Sequence, residues 1–142
     1  MIGIIEVYGS MLLRALGQTL LLTLLSLLFA MVIGMIFGLM NVGHNRVLNL
    51  IGTIYVDAVR GVPLIVLAYF IYFGVPAGMQ GLGFASFRLN ALQAGTAALS
   101  MNCGAYMAEI IRAGIESVDR GQMEAARSLG LSYSSSMALV VI

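Results

Sequence analysis

The sequence has no lysine and no tryptophan, and all seven of its cations are arginine. Charged residues fill 9% of the 142 positions, while 61% are hydrophobic and the mean hydropathy is +1.01. Soluble domains carry roughly a quarter charged residues. A soluble domain of this size would still expose roughly 30% of its unfolded surface, so this composition excludes one and points to lipid. A net charge of +1 gives no basis for binding nucleic acid. One cysteine, Cys103, excludes an internal disulfide; lying in an apolar run, it is expected to be a small buried residue. With a single histidine in a separate element, no nucleophile–base pair or zinc cluster is evident. There is also no G-x-x-x-x-G-K-[ST] loop for nucleotide phosphates, and no lysine to serve one.

What is present is a series of apolar runs. No ionisable residue occurs in 15–43, and 20–40 is almost wholly apolar, long enough for the roughly 20 helical residues that cross the hydrocarbon core. Glu6 and Arg14 precede it, and it is too long for a signal-peptide core of roughly 7–15 residues, so a permanent span is expected over 15–41. Within it Ser26, Ala30, Gly34 and Gly38 recur every four residues. Such a stripe lets helix backbones approach closely where lipid gives no hydrophobic drive to associate. It reads as a helix-packing seam, or as the ordinary abundance of small residues in membrane helices.

A polar connection with His44 as a solvated loop residue leads to a second span, expected over 54–75, with Pro63 in its first lipid-buried turn. Residues 76–88 read as a glycine-rich loop. A third span is expected over 89–111. It is more polar, carrying Asn90, Gln93, Thr96, Ser100 and Asn102, and such groups should face other helices or a water-lined path. From Glu109 to Arg127 the chain is polar, and the apolar residues from 132 onward read as the start of a fourth span. An N-terminus outside the cell puts Arg46, Arg60, Arg112, Arg120 and Arg127 on the cytoplasmic side and only Arg14 and Arg88 on the other. That orientation follows the positive-inside rule and makes 113–131 cytoplasmic.

Residues 119–130 read DRGQMEAARSLG. Asp119 followed by Gln122 suggests a capping box, and Gly130 a helix stop. About ten residues lie between them, a helix roughly 15 Å long. Met123, Ala126 and Leu129 share one face. This is either a docking element for another protein or a helical loop lying on the headgroups.

Glu124-Ala125-Ala126 followed after three residues by Gly130 resembles the EAA loop of ABC importer permeases. The run 59–64 (VRGVPL, with Arg60, Gly61 and Pro63) and the run 69–74 (YFIYFG) resemble the second span of the polar amino-acid uptake branch. The run 102–112 (NCGAYMAEIIR) resembles the end of its third span. The similarity covers essentially the whole chain. It implies an all-α transmembrane helical bundle of the type I importer kind, with three and a half of the usual five spans within 1–142, forming a single permease domain in the bacterial inner membrane. It further implies cytoplasmic ABC ATPase subunits that hold ATP and magnesium, a second permease subunit of the same or a related kind, and an extracellular or periplasmic amino-acid-binding protein. Glu124 would contact the ATPase, Ala125 and Ala126 would permit a close fit, Arg127 would lie on the coupling helix, and Gly130 would turn the chain back to the membrane. The cofactor would sit on the partner, and this chain would be no enzyme.

Asn102, Tyr106 and Glu109 stand at i, i+4 and i+7, hence on one helix face, where a carboxylate could meet the amino group of a substrate. Equally, Glu109, Arg112 and Glu116 could form an interfacial charge ladder, and Arg60 could snorkel to headgroups. An ATP-independent transporter or channel and a membrane scaffold remain the rival functions.

Overall fold

A computed structural model describes residues 2–43 and 45–141; His44 lies outside the described residues, as do Met1 and Ile142. Every regular element among the described residues is helical. The longest helix, α1 (Ile2–Val42), contains no proline. After it, α2 (Arg46–Gly61) begins where the side chain of Asn45 accepts the Val47 amide at 2.9 Å, an N-cap that satisfies one of the free donors of the first turn.

The second apolar segment differs from the expected 54–75. The chain leaves the helix at Val62, whose backbone is extended (φ −103°, ψ 130°), and restarts after Pro63. The proline ring bars the residue before it from helical geometry, so residues 54–61 belong to α2, and a separate helical run starts at Leu64. That run comprises α3 (Leu64–Tyr69), a π-helical turn (Phe70–Gly74) and α4 (Val75–Gly81). It therefore extends into the stretch expected to be a glycine-rich loop. The widened turn lies just before Pro76, whose ring would otherwise crowd the preceding turn.

Helix α5 (Ala91–Glu116) opens with a capping box: Asn90 and Gln93 exchange side-chain and backbone hydrogen bonds at 2.8 and 3.0 Å. Then come α6 (Arg120–Ser128), α7 (Tyr133–Ser136) and a second π-helical turn (Met137–Val141).

The centre of the fold is the α1–α5 pair, its most extensive helix–helix contact. Gly95 lies beside Leu22, Gly34 beside Met107, and Gly38 beside Ile111. This steady register makes the two helices parallel. The small-residue stripe of α1 supplies the seam: Ser26, Ala30, Gly34 and Gly38 are all buried, and α5 answers with Gly104 and Ala108. On its other side α5 places Ala94, Ala98 and Ala105 against Val59 of α2, Leu67 of α3 and Ile71 of the π turn. Tyr55 braces the junction, stacking on Phe37 with ring centroids 3.9 Å apart and donating its hydroxyl to the Met101 carbonyl at 2.8 Å. Gly52 sits against the side chain of Asn41, which leaves no room for a Cβ there.

Two segments among the described residues are long and apolar enough to cross a membrane, Tyr8–Val42 and Leu64–Gly81. Only 17% and 11% of their apolar windows are buried within the chain, so each turns an apolar surface outward, which suits lipid or a partner rather than water. Helix α5 is less apolar because its small and polar residues, Thr96 and Ser100 among them, are enclosed by the other helices. Cys103 is exposed on the outer side of α5, contrary to the expected burial. In lipid an apolar residue gains nothing by facing inward, so small size alone does not bury it.

Candidate functional site

Helix α6 is defined at both ends by local chemistry. The Asp119 carboxylate accepts the Gly121 amide at 2.7 Å. Gln122 bonds the Asp119 carbonyl through its own backbone amide, so the cap is made by Asp119 on Gly121 rather than by the expected box. At the other end Gly130 takes φ +88°, its amide reaches the Arg127 carbonyl at 3.0 Å, and the Leu131 amide reaches Ala126 at 3.3 Å. These two bonds form a Schellman closure, which favours glycine at the left-handed position.

The helix presents its residues unequally. Glu124, Ala125 and Arg127 are exposed, whereas Ala126 is 6% exposed and turned toward the chain's own body. Of the two alanines expected to admit a partner, only Ala125 lies open. Leu129, expected on the same face as Met123 and Ala126, is instead 84% exposed because it lies at the C-cap, where the helix is already unwinding. The start of α6 adjoins the ends of two long helices: Val42, Ile115, Glu116, Asp119, Arg120 and Met123 line one cleft of about 460 Å³.

A second cleft, about 310 Å³, lies between α2 and α5 beside the end of α1 and contains most of the ionic groups of this region. Arg112 grips Glu109 with both Nε (3.2 Å) and Nη2, and its Nη1 donates to Glu116 at 2.7 Å. The ladder foreseen within α5 is therefore formed, and it extends further. Arg60 of α2 lies 3.8 Å from Glu109 and 5.2 Å from the centre of the Tyr106 ring, a cation–π geometry. Arg60 thus pairs within the protein rather than only reaching outward. Tyr106 is 47% exposed, and Asn102 is half-buried one turn earlier. Asn41, Asn49 and Asp57 line the same cleft; sequence reading assigned them no role, because only the fold brings α2 onto the ends of α1 and α5. Gly61 and Pro63 flank the break between α2 and α3, and Gly61 is exposed with nothing within 4 Å of where a Cβ would stand.

Residues 30–142 match the family described as binding-protein-dependent transport system inner membrane component. The chain belongs to this family of permeases. Among curated relatives, the probable glutamine ABC transporter permease protein GlnM of Bacillus subtilis (strain 168) is 39% identical over 133 residues, covering 94% of this chain and 58% of its own length. The arginine transport system permease protein ArtQ of the same organism is 36% identical over 126 residues, covering 89% of this chain and 55% of its own. A crystal structure of an amino acid ABC transporter with histidines superposes with a TM-score of 0.83 at 37% identity, covering 97% of this chain and 61% of that one. The chain thus spans little more than half the length of these permeases, and over that length it shares their helical membrane architecture.

Proposed function

We propose that this chain is a membrane-spanning subunit of an ATP-driven importer of polar amino acids, with α6 as the helix that docks on a cytoplasmic ATPase. The observation that carries this reading is α6 itself: a short helix with a closed cap at each end, set between α5 and α7, with Glu124 and Ala125 open to a partner. Membership of the permease family and the glutamine, arginine and L-cystine transport systems named among its relatives support the substrate class. ATP and magnesium belong to the partner ATPase; this chain contributes no catalytic group. A second permease subunit completes the pathway, and an external binding protein delivers the amino acid.

The test is affinity purification of the tagged chain from membranes of cells carrying the whole transport system, paired with uptake of labelled polar amino acids. A nucleotide-binding subunit should co-purify, and deleting the permease should abolish high-affinity uptake of at least one of them. Unchanged uptake of all of them would remove the importer reading.

The orientation is part of the proposal. Because α1 and α5 are parallel, their C-terminal ends lie together, and Arg112 and Arg120 lie at that end. Together with the arginine distribution, this supports a cytoplasmic α6. In a Cys103→Ser background, a cysteine placed at Gly121 should react with a membrane-impermeant maleimide only in inside-out vesicles, and one at Ser86 only from outside the cell. The reverse pattern would invert the topology.

A further inference from the structure

The ionic groups of the second cleft form one unbroken chain between two places where the backbone changes direction. It begins at Glu116, three residues before the Asp119 cap of α6, passes through Arg112 to Glu109, and crosses to Arg60 in the last turn of α2. Arg60 is followed at once by Gly61 and the extended Val62, where α2 separates from α3.

We propose that Arg60 and Glu109 are positioning residues that carry the displacement of α6 to the break between α2 and α3, and so join the cytoplasmic docking helix to the long apolar run that starts at Leu64. This rests on the docking role of α6 proposed above. Three observations favour transmission over a purely stabilising role. The charged side chains of the Arg60–Glu109 pair remain 37% and 32% exposed, and ion pairs so exposed add little to stability. The links also differ in grip. Arg112 holds Glu109 through two nitrogens, which makes α5 and its ladder one body, while Arg60 approaches at 3.8 Å through one. The cross-helix contact is therefore the one that can open and close. Finally, a second carboxylate shares the cleft: Asp57 lies three positions before Arg60 on α2, a spacing that makes helix side chains neighbours, and it has no ion pair among the described residues. Exchange of the Arg60 guanidinium between Glu109 and Asp57 would supply the two-position element that coupling between distant sites requires.

A double-mutant cycle on the complete transporter in proteoliposomes tests this. Arg60→Gln, Glu109→Gln and the double variant are compared for substrate transported per ATP hydrolysed, with co-purification of the ATPase measured in parallel. Each single change is expected to lower that ratio about fivefold, the double to be no worse than either single, and ATPase co-purification to stay at the wild-type level. Arg60→Lys, which keeps the charge, should recover part of the loss. Effects that multiply in the double, or a raised KM for the amino acid with an unchanged ratio, would overturn the inference; the second result would make the pair a substrate contact. If the wild-type chain brings down no ATPase, the docking role of α6 fails instead, and the two failures are thereby told apart.

Discussion

Gly34→Ala and Gly104→Ala, made singly in the full-length protein, should each lower its stability by about 1–3 kcal/mol, the usual cost of overpacking a tight interior. A Cβ on Gly34 would stand 2.5 Å from the Cβ of Met107, and one on Gly104 would stand 2.6 Å from Cγ2 and 2.9 Å from Cβ of Ile33. A Cβ cannot swing aside like the end of a flexible side chain, so the helices themselves must separate. Separation loses dispersion contacts along the whole α1–α5 seam, and in lipid these contacts, not water exclusion, hold helices together. The measurement is the melting temperature of the detergent-purified protein, expected to fall by roughly 3–10 °C. Gly17→Ala and Gly114→Ala are the controls. They lie on the same two helices with nothing within 4 Å of the added carbon, and should be neutral or slightly stabilising because alanine favours helix over glycine. If all four variants melt alike, the close seam is not what holds the pair.

The second large effect is expected at Gly130. Its φ of +88° lies where an L side chain costs roughly 1–2 kcal/mol, and the Schellman bonds that close α6 depend on it. Gly130→Val should therefore unwind the end of α6 and cut both ATPase co-purification and uptake by about tenfold or more, which equals about 1.4 kcal/mol of docking free energy. Gly130→Asn, which tolerates the left-handed region, should retain most of both. Glu124→Arg separates docking from folding. The Glu124 side chain is exposed and has no ion pair among the described residues, so reversing it should leave the protein in the membrane at normal levels while reducing ATPase association to a similar degree. Normal association in both Gly130→Val and Glu124→Arg would refute the docking role of α6.

The parts of this architecture that depend on local chemistry were legible in the sequence. Asp119 and Gly130 mark the ends of α6 because a cap acceptor and a left-handed glycine act on amides only one to five residues away. The four-residue repeat from Ser26 to Gly38 announced a seam, but not that α5 would fill it in parallel. The break at Val62 was missed because the apolar pattern continues across it; the restriction that proline places on its predecessor decides the matter. Facing directions were the least accessible. Where lipid forms the outer solvent, hydrophobicity no longer separates inside from outside, so Cys103 lies outward against expectation. Ala126 lies inward for another reason: α6 packs on α7 and the second π-helical turn, elements that local sequence does not bring together. The Arg60–Glu109 pair was hidden for a different reason: it joins two helices whose approach is set by the packing of Tyr55 and Gly52 against α1 and α5, which no short stretch of sequence encodes.

The parallel arrangement of α1 and α5 has an electrostatic consequence. Two long helices that end at the same place bring together the negative poles of their backbone dipoles, each worth about half an elementary charge. Helix α6 starts near there, at Arg120, which shares a cleft with Val42 and Glu116, so its positive pole lies close to the negative ends of both. The short helix is thus drawn toward that end at its base, while its buried side rests on α7 and the second π-helical turn and Leu129 at its C-cap is left open.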